Sequence, residues 1–130
     1  MTNKKTLSLS DIKLSYLEWE NLEKPPLLLL HGLADQAMVW SSLGEALAPD
    51  YHIVAPDLRG HGDSSKPDET HYTFPEVIAD LEALCEALGW QSAHILGHSW
   101  GAKTIAYWAQ QHPQRFRSLI LVDPFFIGTL

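Results

Sequence analysis

The sequence predicts an α/β fold, a mostly parallel sheet with helices on both faces and an antiparallel hairpin at its start. Short apolar runs alternate with helical patterns along the whole chain, which is typical of such folds. Thr6–Ser10 and Ile12–Trp19 alternate apolar and polar residues around Asp11, which indicates the hairpin. Leu27–Leu30 is a continuous apolar run, as expected of a strand buried on both faces. The 130 residues are expected to form a single domain.

The strongest helix pattern begins after Thr73. Apolar residues recur from Phe74 to Leu88 at the spacing of one helix face. Thr73 and Glu76 form a capping-box pattern, and Gly89 predicts the end of the helix. The remaining elements are predicted as a helix over Gln36–Leu47, strands over Tyr51–Ala55 and Ala93–Leu96, a helix over Ala102–Gln111 and a last strand over Leu119–Val122.

Composition excludes several classes of function. The chain has 9 basic and 16 acidic residues and a net charge of −7, which argues against nucleic acid as a partner. The apolar run Leu27–Leu30 is far shorter than the roughly 20 residues that a membrane helix needs, and Lys4-Lys5 is not followed by the apolar stretch of a signal peptide. The single cysteine, Cys85, excludes an internal disulfide and lies on an apolar helix stripe, which predicts a core thiol. A cytoplasmic protein without a membrane partner, cofactor or metal is expected.

The pentapeptide Gly97-His98-Ser99-Trp100-Gly101 matches the pattern G-x-S-x-G. It lies between a predicted buried strand and a predicted helix, as this motif requires. Gly97 and Gly101 allow the strand and the helix to approach closely, so the turn presents the Ser99 hydroxyl at the carboxyl end of the sheet. The start of the helix also directs the backbone N–H of Trp100 toward the atom that Ser99 would attack. The alternative is a glycine-rich turn with an idle serine.

His31-Gly32 directly follows the strand Leu27–Leu30. In a parallel sheet this loop opens at the same edge as Ser99, where ligands bind. The backbone N–H of Leu33 is therefore a candidate second donor to an oxyanion, and His31 and Gly32 are expected to shape the loop.

Asp57–Ser64 follows the next strand and contains two glycines. A nucleotide-binding loop is disfavoured, because Ser65 replaces the third glycine of G-x-G-x-x-G and no helix begins there. A structural role is favoured, with Asp57, Arg59 and Asp63 tying the loop by charge-assisted hydrogen bonds.

Together, His31-Gly32-Leu33, Asp57–Ser64, Gly97–Gly101 and Leu121–Pro124 resemble the α/β-hydrolase superfamily in its serine-nucleophile, esterase-like branch. The resemblance implies that Ser99 is the nucleophile and that the N–H groups of Leu33 and Trp100 form the oxyanion hole. It implies hydrolysis or acyl transfer at an ester, thioester or similar activated carbonyl of a small-molecule substrate. Epoxide hydrolases and haloalkane dehalogenases of this superfamily carry Asp at the serine position, so Ser99 argues against both.

A catalytic base is not evident in this sequence. The superfamily places its histidine after the last strand, but His112, the one histidine after Ser99, is expected to end a helix away from the site. His98 is expected to pack under the sheet, because consecutive strand residues face opposite sides. His31 and His61 lie at the correct edge, but in the superfamily such residues shape loops. Asp123 ends the last strand and is a candidate acid or a supporting residue.

The resemblance corresponds to the N-terminal half of a hydrolase core, so the cap and the C-terminal part are expected to be absent from residues 1–130. The isolated chain is then expected to be inactive or very weak. The alternative is a non-catalytic, hydrolase-like module that binds a ligand or a complementary fragment. The last strand, Leu119–Val122, is expected to be an unpaired edge followed by exposed Phe125 and Phe126, which predicts self-association or binding of a C-terminal fragment.

Overall fold

The computed structural model describes residues 2–124 and contains every predicted strand and helix, with some ends shifted. The predictions made for Phe125 and Phe126 concern residues outside this range. The strands are β1 (Asn3–Ser8), β2 (Lys13–Trp19), β3 (Pro26–Leu30), β4 (His52–Pro56), β5 (Ala93–His98) and β6 (Phe116–Val122). The α-helices are α1 (Ser41–Leu47), α2 (Phe74–Leu88) and α3 (Trp100–Gln111), and 3₁₀ turns cover Ala37–Trp40 and Pro113–Arg115.

The six strands form one sheet in the order β1-β2-β4-β3-β5-β6. β1 pairs with β2, and β2 with β4, in antiparallel register, whereas β4, β3, β5 and β6 are mutually parallel. The mostly parallel sheet with an N-terminal hairpin is therefore confirmed. Because the four parallel strands point the same way, the loops after them open at one edge of the sheet, here called the carboxyl edge.

Helices cover both faces of the sheet, as predicted. Leu28 and Leu30 of the central strand β3 face a core built with α2 and α3. Leu27 and Leu29 face a smaller core on the side of α1 and the first 3₁₀ turn. Because all four leucines are buried, the interpretation of this run as a strand covered on both faces is confirmed.

The capping signals of α2 are confirmed. The Thr73 hydroxyl accepts a hydrogen bond from the Glu76 N–H, while the Glu76 carboxylate accepts one from the Thr73 N–H, each at 3.4 Å. Gly89 ends the helix with a φ of 73°, a left-handed conformation that favours glycine. Burial of the apolar stripe fixes α2 against the sheet.

Several element ends differ from the sequence prediction. The helix predicted over Gln36–Leu47 divides into the 3₁₀ turn and α1, and the Ala37 N–H donates to Asp57 Oδ1 at 2.7 Å rather than to its own segment. Helix α3 begins at Trp100, two residues before the predicted start, because the helix follows Ser99 directly. Strand β6 begins at Phe116, where the ring packs edge-on against Trp108.

Within residues 2–124 no helix is long and apolar enough to cross a membrane. The same residues contain no group of three or more His, Cys, Asp or Glu side chains that could hold a metal ion.

Candidate active site

Ser99 occupies a strained turn between β5 and α3. Its backbone has φ 57° and ψ −119°, a sparsely populated combination for a residue with a side chain. The Ser99 N–H donates to the Val122 carbonyl at 3.0 Å, and the Ser99 carbonyl accepts from the Lys103 N–H at 3.1 Å. The turn is therefore held from the neighbouring strand β6 and from its own helix.

The close approach predicted for Gly97 and Gly101 is present. A Cβ atom added at Gly97 would lie 2.7 Å from the Gly101 carbonyl carbon and oxygen. A Cβ added at Gly101 would lie 2.5 Å from the His31 carbonyl oxygen and 2.7 Å from that of Leu30. Because these contacts are with backbone atoms, a side chain at either position would force the turn apart.

The loop after β3 lies directly against Ser99. A Cβ added at Gly32 would be 3.1 Å from Ser99 Cβ and 3.5 Å from Ser99 Oγ. The neighbouring Leu33 is exposed, and Trp100 is the first residue of α3. Within residues 2–124 the N–H groups of Leu33 and Trp100 donate no hydrogen bond, and neither does the Ser99 hydroxyl. The structure thus brings a free hydroxyl and the loop bearing the Leu33 N–H together at the carboxyl edge.

His31 is fully buried, and both of its ring nitrogens are used. The Leu58 N–H donates to Nε2 at 3.0 Å, so Nε2 is unprotonated, and Nδ1–H donates to the Gly32 carbonyl at 2.7 Å. Burial lowers the pKa of His31 below its ordinary 6.5, which keeps the ring neutral. His31 therefore shapes the loop beside Ser99 and has no nitrogen free to act as its base. Sequence reasoning gave no signal for the contact with Leu58, which lies 27 residues away.

The Asp57–Ser64 loop is held by its own hydrogen bonds. The Asp57 carboxylate accepts from the Ala37 N–H at 2.7 Å and from the Asp63 N–H at 3.0 Å, so it joins the loops after β3 and β4. The Arg59 guanidinium forms two hydrogen bonds with the Asp80 carboxylate of α2, at 2.7 and 2.8 Å. These contacts agree with the structural role predicted for the loop, and no helix begins at Ser65.

The remaining candidate bases and acid are placed as follows. His61 is half-buried; its Nδ1–H donates to the Arg59 carbonyl at 3.0 Å, and its ring centroid lies 5.0 Å from that of His31. His98 is half-buried and lies on the α1 side of the sheet, as its alternation along β5 predicts. His112 ends α3, 3.7 Å from Glu82, and is remote from the carboxyl edge. Asp123 is exposed and follows Val122, whose carbonyl holds the Ser99 N–H.

Cys85 is buried in α2, as predicted for a core thiol. Burial raises the pKa of this thiol to about 12. The thiolate, which is the reactive form, is therefore almost absent at neutral pH.

Comparison with known proteins supports the assignment of the fold. The sequence profile described as "alpha/beta hydrolase fold" matches residues 25–129. A fluoroacetate dehalogenase from Burkholderia sp. is 38% identical over 103 residues, covering 76% of this chain and 34% of the relative. Lipase 3 from Moraxella sp. (strain TA144) is 36% identical over 119 residues, covering 91% of this chain and 37% of the relative. The structure of the thioesterase domain from the curacin biosynthetic pathway superposes with a TM-score of 0.91 at 30% identity, covering all of this chain and 49% of that one.

The chain belongs to the α/β-hydrolase family. It spans about a third of the length of the curated relatives that it matches. Several of these relatives are named as hydrolytic enzymes, among them the lipase and the thioesterase domain.

Proposed function

We propose that Ser99 is the nucleophile of a serine hydrolase, and that the N–H groups of Leu33 and Trp100 stabilise the oxyanion formed during attack. The observation that carries this proposal is the strained turn at Ser99, with its free hydroxyl next to the loop that carries the Leu33 N–H. Strain of this kind is retained where the surrounding structure enforces it, often at active sites. Backbone N–H groups in a fixed turn need no reorganisation when negative charge develops on a carbonyl oxygen.

The proposed substrate class is an ester, a thioester or a similarly activated carbonyl. Attack by the Ser99 oxygen on the carbonyl carbon would give a tetrahedral intermediate whose oxyanion lies between the two donors. Two of the relatives are named as a lipase and a thioesterase domain, which supports this class. The relative named as a dehalogenase supports it less, because the resemblance assigns an Asp nucleophile to the dehalogenase branch and this chain has Ser99.

Attack by Ser99 also needs a base to accept its proton. Within residues 2–124, His31 has both nitrogens engaged, and His112 lies at the far end of α3. We therefore propose that the chain supplies the nucleophile and the oxyanion donors, while a base comes from outside the described residues. Asp123 is the candidate acid that would orient the base, because it directly follows β6 at the carboxyl edge. The single buried cysteine favours a reducing compartment, so the cytoplasm is the proposed location.

A second candidate function is a non-catalytic module that binds a ligand or a complementary fragment. The observation that favours it is that, among residues 2–124, His31 has both ring nitrogens engaged, His61 is held to the Arg59 carbonyl through Nδ1, and His112 lies at the far end of α3. The two functions differ in the role of the Leu33 and Trp100 N–H groups. In a catalytic site these groups accelerate acyl transfer to residue 99, whereas a binding module does not need this acceleration.

The substitution Ser99→Cys tests the donors without requiring a base, because a thiol ionises by itself near neutral pH. We expect Ser99→Cys to be acylated by p-nitrophenyl acetate at least about tenfold faster per thiolate than a matched control. This expectation is modest, since one oxyanion donor contributes roughly 100- to 1,000-fold in complete enzymes. The measurement is the initial burst of p-nitrophenol as a function of pH.

Ser42→Cys is the matched control, because Ser42 is exposed on α1. Cys85 contributes little background, since burial raises its pKa to about 12. Equal rates per thiolate for Ser99→Cys and Ser42→Cys would contradict the oxyanion hole and favour the non-catalytic module.

A further inference from the structure

The peptide group between Gly32 and Leu33, which carries one of the two oxyanion donors, is held through its carbonyl. The Gly32 carbonyl accepts from His31 Nδ1–H at 2.7 Å and from the Asp35 N–H at 3.2 Å. A carbonyl oxygen has two lone pairs, so both are used. The turn that Asp35 closes contains Ala34 with a φ of 61°, a conformation that a residue with a side chain adopts only where its surroundings enforce it. The plane of this peptide group is therefore fixed.

The contact with the carbonyl also sets the direction of the Leu33 N–H. Within residues 2–124 every peptide bond is trans. In a planar trans peptide group the C=O and the N–H point in opposite directions. The Gly32 carbonyl points at the buried ring of His31, so the Leu33 N–H points to the opposite side. Gly32 itself lies against Ser99, since a Cβ added there would be 3.5 Å from Ser99 Oγ. The donor is therefore directed away from the ring, at a point beside the nucleophile.

We propose that His31 is a positioning residue of the oxyanion hole: its Nδ1–H holds the Gly32 carbonyl so that the Leu33 N–H of the same peptide group faces the oxyanion. This inference rests on the proposed function of Ser99 and Leu33. Hydrogen bonds to the carbonyl also polarise the peptide group, which strengthens its N–H as a donor. His31 itself touches no substrate and exchanges no proton with Ser99.

One form of the His31 ring can act in this way, and a second loop selects it. The Leu58 N–H, on the loop after β4, donates to Nε2 at 3.0 Å, so Nε2 carries no proton. The one ring proton of a neutral imidazole is then on Nδ1, which faces the Gly32 carbonyl. The contact with Leu58 thus makes the ring a donor toward the peptide group that bears the Leu33 N–H.

Two substitutions of His31 separate the positioning role from the packing of the ring. In His31→Asn the amide nitrogen is attached to Cγ, as Nδ1 is in histidine, so it still donates to the Gly32 carbonyl but does not reach the Leu58 N–H. In His31→Gln the amide lies one bond further out, near the place of Nε2, so it accepts from the Leu58 N–H but loses the contact with Gly32. Both variants remove the buried ring, and circular dichroism checks that each is folded.

Acylation of Ser99→Cys by p-nitrophenyl acetate measures the effect on the donor. Adding His31→Gln should lower the rate per thiolate at least about threefold, a part of the roughly 100- to 1,000-fold that one oxyanion donor contributes in complete enzymes. Adding His31→Asn should keep the rate within about twofold, because the donor to the Gly32 carbonyl is retained. Neither should change the rate of the control Ser42→Cys. Equal losses with Asn and Gln would overturn the proposal and leave the ring a packing role.

Nuclear magnetic resonance of chains that retain Ser99 separates failure of this proposal from failure of the proposed function. In the native chain, the ring ¹⁵N shifts should show a neutral His31 with its proton on Nδ1. The order parameter of the Leu33 amide should be about 0.85 in the native chain and in His31→Asn, and below about 0.6 in His31→Gln. A proton on Nε2, or a rigid Leu33 amide in His31→Gln, would overturn the proposal. If these results are obtained but Ser99→Cys and Ser42→Cys react equally, the proposed function is contradicted and the contact of His31 with the peptide group is supported.

Discussion

The turn that joins β5 to α3 produces the backbone strain at Ser99 and positions the residues on either side of it. The backbone bends at Ser99 because β5 and α3 meet through Gly97 and Gly101, which leave no room for a Cβ atom. Holding a residue with a side chain in such a conformation costs on the order of 1–3 kcal/mol. The hydrogen bonds to Val122 and Lys103 offset part of that cost and hold the hydroxyl in place.

Gly101→Ala should destabilise the fold by roughly 2–3 kcal/mol, because the new Cβ would lie 2.5 Å from the His31 carbonyl oxygen. Gly89→Ala is the control: its Cβ would meet no atom within 4 Å, and the cost of its φ of 73° should be about 1 kcal/mol. Chemical denaturation measures both. A Gly101→Ala variant as stable as the native chain would mean that the turn is not tightly packed.

His31 should make the free energy of unfolding depend on pH below about 6.5. Burial lowers the pKa of His31 in the folded chain, so below its ordinary 6.5 the unfolded chain binds a proton that the folded chain does not. The free energy of unfolding should therefore fall as pH decreases, by at most about 1.4 kcal/mol per pH unit. Above about pH 7, the contribution of His31 to the free energy of unfolding should not change with pH.

Denaturation of the native chain and of His31→Gln at several pH values measures this contribution. The variant should be less stable but should show a shallower slope in this window. His112→Gln is the control, because that half-buried ring lies at the end of α3, 3.7 Å from Glu82 and remote from His31. Identical slopes for His31→Gln and the native chain would show that His31 is not held neutral by burial.

At the scale of elements, the loops after β3 and β4 act as one unit. The Asp57 carboxylate bonds the Ala37 N–H of the first loop and the Asp63 N–H of the second, and His31 bonds the Leu58 N–H. The position of Leu33 beside Ser99 therefore depends on contacts made by the β4 loop. This coupling between loops is what fixes the candidate site.

Asp57→Asn should destabilise the chain by about 1–3 kcal/mol. The two carboxylate oxygens accept from the Ala37 and Asp63 N–H groups, and in the variant one of these oxygens is replaced by an NH2 group that cannot accept a hydrogen bond. Amide hydrogen exchange at Ala37 and Asp63 should accelerate as well. Asp63→Asn is the control, since that side chain is exposed and pairs with Lys4, and its effect should stay within about 0.5 kcal/mol. Equal effects of the two substitutions would contradict the role of Asp57.

The elements whose signals are local could be predicted from the sequence. The capping box at Thr73, the stop at Gly89 and the apolar run Leu27–Leu30 each specify structure within a few residues, and all three are present. The turn at Ser99 could also be predicted, because its glycines lie two residues away on either side. Local patterns did not predict the 3₁₀ turn at Ala37, whose first N–H is taken by Asp57, 20 residues further on.

The geometry of the candidate site was less predictable, because it depends on contacts between distant residues. The sequence places His31 at the correct edge, but only the fold shows that Leu58 and Gly32 occupy its two nitrogens. This contact removes one candidate base, which no spacing in the sequence could have done. The start of β6 at Phe116 likewise depends on packing against Trp108.

At the scale of the whole molecule, the candidate site lies where β5 and β6 end, beside the apolar edge of the sheet. The Val122 carbonyl at the end of β6 accepts the Ser99 N–H, so the edge strand is part of the support of the turn.

We propose that residues 2–124 hold a nucleophile and its oxyanion donors, and that the base comes from outside these residues. The most direct test is the rate of p-nitrophenyl acetate hydrolysis by the native 130-residue chain beside Ser99→Ala. Because the members of a catalytic triad act as a unit, we expect the two rates to lie within about tenfold of each other. A native rate a thousandfold above that of Ser99→Ala would contradict this proposal and would require a base within the chain, with His61 the first candidate to test.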